Sequence, residues 1–377
     1  MAIKIGINGF GRIGRVVLRL AAAQPERFRI CGINLRSADT GYMAYQVKYD
    51  SVFGPFDGTV ESTPNSLIIN GQEIMVFSES DASKIKWNKC GAEYIVESTG
   101  VFATYYQAAL HFSGGAKKVV ISAPPKDTIT PTFVVGVNEH EYQPTMGVVS
   151  NASCTTNCLA PLAKVINDNF GIEQGLMVTI HSATAKQKPV DARSNRDWRT
   201  GRSLLGNIIP STTGAAKAVG RVIPALEGRL TGMAFRVPCN DVSVVDLTAR
   251  LAHPTSYEEI CRVMKEASET TMKGIIGYAT DPLVSADIIA NSNTCVFDSL
   301  AGMMLDNNFV KLIAWYDNEW GYSHQLLELI AHMYSVDTAA GVITPLEEKE
   351  LLLKDINAVS VAAVPKKKQE KGAKKAE

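Results

Sequence analysis

The 377-residue chain is long enough for two domains with a large hydrophobic interior. Its 38 Lys and Arg offset 38 Asp and Glu, a formal charge of +0, and 46% of residues are hydrophobic, so neither a nucleic-acid partner nor a membrane partner is indicated. Seven scattered cysteines do not resemble a disulfide framework, Met1–Ile7 lacks a signal-peptide core, and no apolar run reaches spanning length; reduced thiols in a soluble, cytoplasmic protein are expected.

Ile3, Ile5 and Ile7 lead into Gly9-Phe10-Gly11-Arg12-Ile13-Gly14 and then the helical pattern Val16–Ala21. A buried strand, a glycine-rich turn and a helix stand in the order of a Rossmann dinucleotide fingerprint. Gly9 permits the tight turn, Gly11 admits a pyrophosphate close to the backbone, and Gly14 lets the helix pack on the strand. A second strand covers Phe28–Asn34. A carboxylate that bonds the adenosine ribose hydroxyls ordinarily follows such a strand. Here Leu35 and Arg36 follow, and the guanidinium is suited to a 2′-phosphate. The other reading of Arg36 is a solvated surface residue, with NAD held by other contacts.

Residues Glu93–Gly100 and Lys117–Pro124 read as strands ending in small or polar residues, which puts Thr99 and Ser122 at the cofactor crevice; ordinary turn chemistry explains either one equally well. Phe133–Asn138 and Gly147–Ser150 read as closing strands.

The last of these delivers the chain to Ser150-Asn151-Ala152-Ser153-Cys154-Thr155-Thr156-Asn157-Cys158, after which apolar residues recur at helical spacing. Cys154 then sits in the first helical turn, capped by Ser153 or Thr155, where unpaired N–H groups and the helix dipole favour a thiolate. A buried structural cysteine is the alternative. Met177–Thr184 reads as a strand, and His181 at its end is the one histidine of six that follows a strand and heads a cluster of small polar residues. Near Cys154 it would serve as general base; a structural histidine is the competing reading. The basic stretch from Ala185 to Gly206 is read as a loop that is functional, disordered or at a subunit contact. Ile208–Lys217 combines hydroxyls, a glycine and a helix start, which suits an anion or, equally, a plain N-cap. Arg236 stands in the apolar run Met233–Pro238, ahead of a strand at Val242–Thr248, where an anion or a carboxylate is needed to match it. Val310–Ser323 ends a strand and opens a helix from Gln325 to Met333; Asn318 between them offers the donor and acceptor that a carboxamide needs.

Assembled, these residues resemble the phosphorylating glyceraldehyde-3-phosphate dehydrogenase family over about Ile3–Tyr334. The most specific segments are Asn8–Arg15, Ser150–Cys158, Ile208–Lys217, Leu230–Pro238 and Trp315–Ser323. The resemblance implies an α/β chain: a Rossmann NAD(P)-binding domain at 1–153, an α+β catalytic domain with a mainly antiparallel sheet at 154–319, a helix returning to the first domain at 320–335, and an extension at 336–377. It implies Cys154 as nucleophile and His181 as its acid–base partner, with no metal. Phosphate contacts would fall on Ser153, Thr155, Thr184, Thr213, Gly214 and Arg236, divided between a phosphorylated aldehyde and inorganic phosphate. The dinucleotide, NAD or NADP, would meet Gly9, Gly11, Arg12, Ile13, Gly14, Arg36, Thr99, Ser122 and Asn318. A homotetramer and a place in glycolysis and gluconeogenesis are implied likewise.

Three departures from the family pattern are visible. Leu35 and Arg36 replace the ribose-binding acidic residue, and Arg193, preceded by Ala192, stands where NAD-specific members tend to have proline; both favour NADP tolerance. The 43 residues after Tyr334 form an extension, with a short helix expected at Leu346–Leu353 and a basic tail at Pro365–Lys375 expected to lack fixed structure. A hydrolytic relative, erythrose-4-phosphate dehydrogenase, shares the cysteine and histidine segments but not the anion turn, which stands intact here as Thr212–Lys217. The remaining alternative is a non-catalytic binding protein on the same scaffold, which would not need Cys154, His181 and two anion clusters together.

Overall fold

The structure, a computed structural model, describes residues 2–194 and 197–341. Arg196, the Leu346–Leu353 segment and the basic tail lie outside the described residues. The first sheet is built from β1 (Ile3–Asn8), β2 (Phe28–Asn34), β3 (Val60–Thr63), β4 (Ser66–Ile69), β5 (Gln72–Phe77), β6 (Tyr94–Glu97), β7 (Lys118–Ile121) and β8 (Val148–Ser150), in the order β3-β4-β5-β2-β1-β6-β7-β8. All pairs from β5 to β8 are parallel, and only β3-β4 and β4-β5 are antiparallel. Ile5, Ile7, Ile33, Ile95, Val119 and Val120 are fully buried, as strands covered on both faces require. Chain order reverses direction between β1 and β6, so their carboxyl ends open a crevice at the switch point.

The second sheet contains β9 (Ile172–His181), β10 (Ile209–Thr212), β11 (Leu230–Arg236), β12 (Ser243–Leu251), β13 (Ile276–Ala279), β14 (Cys295–Asp298), β15 (Met303–Asp306) and β16 (Phe309–Tyr316). Its order is β10-β11-β9-β12-β16-β14-β13, with β15 on β16, and only β11-β9 and β13-β14 are parallel. Along β12 buried and half-buried residues alternate strictly, the period-2 pattern of a sheet with one face on a core. The helix Cys154–Phe170 supplies the other side of that core, burying Leu159, Leu162, Ala163 and Ile166 against Leu247, Phe297 and Leu312.

Residues Phe133–Asn138 do not form the strand expected of them: Thr132 makes a single bridge to Ser150, and the chain then turns. The Asn138 side chain explains why, accepting from the Val134 N–H at 3.0 Å and donating to the Thr132 carbonyl at 3.0 Å. The helix Trp320–Ala339 begins and ends outside the expected Gln325–Met333 and packs against the helix Arg12–Ala22. Asp337 anchors it, accepting from the hydroxyls of Tyr94 (2.7 Å) and Tyr142 (3.0 Å) and pairing with Lys118 at 3.6 Å, all buried. All seven cysteines are free thiols, and no described helix is long and apolar enough to cross a membrane.

Candidate active site

β8 ends at Ser150, and after three intervening residues the Cys154–Phe170 helix begins. The intervening Ala152 takes a left-handed conformation, φ 55°, strained for a residue with a Cβ. It is held there from both sides: its N–H donates to the Ser150 hydroxyl at 3.0 Å and its carbonyl accepts from Tyr322 at 3.1 Å. Ser153 is the N-cap, its Oγ accepting from the Thr156 N–H at 3.0 Å. The strained turn and the cap present Cys154 in the first turn of the helix.

β9 ends at His181, whose Nε2 lies 3.6 Å from Cys154 Sγ. Its Nδ1 is 2.9 Å from the Ser182 carbonyl, an atom that can only accept. Nδ1 therefore carries the proton, and Nε2 presents a lone pair to the thiol, the tautomer a base requires. Arg236 stands directly beside His181 in the parallel β11-β9 register. Burial, with Arg236 adding to it, pushes the His181 pKa down to about 4. Burial also pushes the Cys154 thiol up, opposing the thiolate preference expected at a helix start; Arg236 and the Thr155 hydroxyl and N–H pull the other way. The free pair thus rests as a neutral imidazole aimed at a thiol.

Two groups of anion donors flank this pair. Ser153, Thr213 and Gly214 line one cavity of about 420 Å³ together with Thr132, Lys217 and Arg221. Gly214 is the N-cap of the helix Ala215–Val222 and has no side chain to cap it, while the Thr213 hydroxyl accepts from the Ala215 N–H at 3.2 Å. Thr184 and Arg236 lie outside this cavity, near His181. The Arg236 Nη1 reaches only the Ser182 carbonyl at 3.4 Å, and its buried Nε has no partner, so most of its donor fork is uncommitted. Thr184 is less free, because its hydroxyl donates to Gln187 at 2.5 Å. Thr155 departs from expectation: its hydroxyl is buried and shared with Tyr316 at 2.8 Å, which leaves its N–H rather than its hydroxyl to face a ligand.

At the cofactor crevice, Gly9 has φ 99°, and a Cβ there would meet the Ser98–Thr99 backbone at 2.8 Å. A Cβ on Gly14 would sit 2.2 Å from the Gly9 carbonyl, whereas one on Gly11 would meet nothing within 4 Å. The turn is thus closed at Gly9 and Gly14 and open at Gly11, where the following helix starts with no side-chain cap. Open space against uncapped N–H groups fits a dinucleotide pyrophosphate, with Gly11, Arg12 and Ile13 supplying the amides. The Arg12 side chain is not available to it, being bound to Asp50 and to both oxygens of Glu319 at 2.9 and 3.0 Å. Burial acts to lower the Arg12 pKa, but Glu319 and Asp50 outweigh it and hold the guanidinium charged.

Thr99 and Ser122 follow β6 and β7 at the same edge as the Gly9 turn. The Thr99 hydroxyl is spent on Glu97. Arg36 is exposed past the end of β2 and makes no ion pair among the described residues, while Leu35 is half-buried. The Asn34 amide nitrogen is taken up by donation to Asn8 Oδ1 at 2.7 Å and to the Glu79 carbonyl at 3.0 Å. Asn318 is buried, and its Oδ1 accepts from the hydroxyls of Ser182 (2.7 Å) and Ser243 (2.8 Å). Only its amide nitrogen remains to meet a ligand, not the donor and acceptor both. These serines, together with Asp50 and Glu319, belong to the site although sequence reading passed over them. The adjacency of Glu319 to Asn318 was the one available signal. Among the described residues no three His, Cys, Asp or Glu side chains group to hold a metal.

Two family profiles match the chain: glyceraldehyde 3-phosphate dehydrogenase, NAD binding domain, over residues 3–105, and its C-terminal domain over residues 153–318. Among curated proteins, glyceraldehyde-3-phosphate dehydrogenase 2 of Schizosaccharomyces pombe is 58% identical over 338 residues, 89% of this chain and 100% of that one. Glyceraldehyde-3-phosphate dehydrogenase 2 of Mucor circinelloides f. lusitanicus is 57% identical over 340 residues, 90% and 100% of the two chains. The cytosolic glyceraldehyde-3-phosphate dehydrogenase of Gracilaria gracilis is 57% identical over 330 residues, 88% and 98%.

Proposed function

The chain belongs to the glyceraldehyde 3-phosphate dehydrogenase family, and from that premise we propose that it oxidises D-glyceraldehyde 3-phosphate to 1,3-bisphosphoglycerate with inorganic phosphate and a nicotinamide dinucleotide, as a soluble cytoplasmic homotetramer. The observation that carries the proposal is the 3.6 Å approach of His181 Nε2, unprotonated because Nδ1 donates to Ser182, to a thiol at a helix start.

The Cys154 sulfur attacks the aldehyde carbon while its proton passes to His181 Nε2, which returns it to the carbonyl oxygen; the product is a thiohemiacetal. The Cys154 N–H and the imidazole stabilise that oxygen while it carries charge. His181 next removes the hydroxyl proton as the adduct becomes a thioester. The dinucleotide, held by the Gly11–Ile13 amides and Asn318, supplies the acceptor for the hydride released at that stage. An oxygen of inorganic phosphate then attacks the thioester carbon, the C–S bond breaks, and Cys154 leaves as thiolate. Ser153, the Thr155 N–H, Thr213 and Gly214 hold the attacking phosphate. Arg236 and Thr184 hold the phosphate of the aldehyde.

NAD is the assigned cofactor, and NADP a second one that the same pocket takes. Leu35 offers no carboxylate to repel a 2′-phosphate, and Arg36 and Arg193, which the family resemblance assigns to the adenosine end, are exposed cations. Steady-state rates with each cofactor, at low and saturating phosphate, test the whole assignment. Cys154→Ser is expected to lower turnover by on the order of 10⁴-fold or more while still binding dinucleotide. Undiminished turnover in that variant, or a wild-type rate indifferent to phosphate, contradicts the proposal.

A further inference from the structure

The amide of Asn318 is gripped at one end only. Ser182 follows the last residue of β9, Ser243 opens β12, and Asn318 follows β16 by two residues, so the ends of three adjacent strands bring the side chains together. Ser182 and Ser243 are 0% and 2% exposed. Ser243 Oγ accepts from the Ser182 N–H at 3.1 Å, which turns its single proton elsewhere, and the Asn318 Oδ1 stands 2.8 Å away to receive it. The Ser182 hydroxyl donates to the same Oδ1 at 2.7 Å. Both lone pairs of the amide oxygen are therefore filled from the protein, while Asn318 Nδ2 donates to nothing among the described residues.

Reversing the amide would set its N–H₂ against two hydroxyls. Ser243 Oγ would then face two N–H donors and could turn its own proton only to Ser182 Oγ at 3.5 Å, while the Ser182 proton would lose the Asn318 Oδ1 that now accepts it. Neither hydroxyl bonds to Cys154 or His181, although the Ser182 carbonyl accepts from His181 Nδ1; the two hydroxyls act through Asn318.

We infer that Ser182 and Ser243 are positioning residues that lock the Asn318 amide with its nitrogen outward, so that the site recognises the 3-carbonyl oxygen of the cofactor's pyridine ring and is indifferent to the carboxamide nitrogen. The inference rests on the proposed dinucleotide function and deepens it from a cofactor to one atom of that cofactor. A pyridine dinucleotide with a methyl ketone in place of the carboxamide keeps the carbonyl and lacks the nitrogen; one with a bare 3-amino group has the reverse.

The test is equilibrium binding of three dinucleotides to the full-length protein without aldehyde or phosphate: NAD, its 3-acetylpyridine analogue and its 3-aminopyridine analogue. For the wild type, the acetylpyridine analogue is expected to bind within about threefold of NAD and the aminopyridine analogue about tenfold or more weakly, the loss of one oriented hydrogen bond. In Ser182→Ala and in Ser243→Ala, made separately, the amide can turn, and the gap between the two analogues is expected to narrow severalfold. A general structural weakening would scale all three affinities together and leave the ratio fixed. An unchanged ratio in both variants overturns the inference, as does a wild type that favours the aminopyridine analogue, a result that needs no variant to fold. Wild-type protein that binds none of the three dinucleotides instead refutes the proposed function itself, and the inference falls with it.

Discussion

Asp241 and Asp317 lie beneath the residue assigned to the nicotinamide. Asp317 immediately precedes Asn318 and accepts from the N–H groups of Ala290 (2.8 Å), Glu319 (2.9 Å) and Trp320 (2.6 Å), which fixes the turn that carries Asn318. Asp241 is 4% exposed; its Oδ1 accepts from the Val242 N–H at 2.8 Å and its Oδ2 has no partner. Burial, then the charges of Asp317 and Glu319, push the Asp241 pKa up to about 8. A carboxyl raised in the folded state stays protonated there while the unfolded chain ionises it, so stability falls as pH rises from about 4 to about 8 and is flat above, at up to about 1.4 kcal/mol per pH unit. Asn has the shape of the neutral acid and does not titrate. In denaturant unfolding, the advantage of Asp241→Asn over wild type is expected to widen between pH 5 and pH 8 and then level off; an advantage constant across that range contradicts the buried neutral acid. None of this was legible in the sequence. Cys154 and His181 stood out in the sequence only once the surrounding motifs were assembled into a family resemblance, whereas the partners of Asp241, Arg12 and Asn318 come from strands and turns far along the chain, and only the fold brings them into contact.

At the scale of elements, the strand–turn–helix at Ile3–Ala22 was readable because its constraints are local: alternating isoleucines, three spaced glycines and a helical apolar face. The structure separates what the glycines do. A Cβ at Gly11 enters open space, while one at Gly14 meets the Gly9 carbonyl at 2.2 Å. Gly11→Ala is therefore expected to leave unfolding within about 0.5 kcal/mol of wild type while weakening dinucleotide binding at least about tenfold. Gly14→Ala is expected to lose both, through overpacking costing about 1–3 kcal/mol. Thermal or denaturant unfolding beside a dinucleotide titration reads the two effects; an equal stability loss in both variants would show that Gly11 serves packing instead. Phe133–Asn138 shows the limit of local pattern. Its valines read as a strand, but the Asn138 side chain closes a turn on the Val134 N–H, a capture that residue spacing does not encode.

For the whole molecule, the two sheets are tied together through the site as well as around it. Arg12, on the first helix, binds Asp50 of the same half and Glu319, which follows the second sheet and immediately precedes the returning helix. Both carboxylates are nearly buried, with side-chain exposures of 5% and 12%. Removing the cation leaves two negative groups facing each other, so Arg12→Ala is expected to destabilise by about 3 kcal/mol and to weaken dinucleotide binding, since Glu319 adjoins Asn318. Denaturant unfolding of the variant checks this, and a loss under about 0.5 kcal/mol would mean the bridge is an ornament of the surface. The two-part architecture was legible from motif order, whereas this clasp between sequence positions 12 and 319 was not.

In the proposed reaction Cys154 carries the acyl group between oxidation and phosphate attack. Intact-protein and peptide mass spectrometry, after mixing the protein with glyceraldehyde 3-phosphate and NAD in phosphate-free buffer, tests it directly. The expected result is one acyl group per chain on the peptide containing Cys154, absent in Cys154→Ser and discharged on adding phosphate. An acyl group on another cysteine, or none while cofactor is still reduced at the full rate, contradicts it.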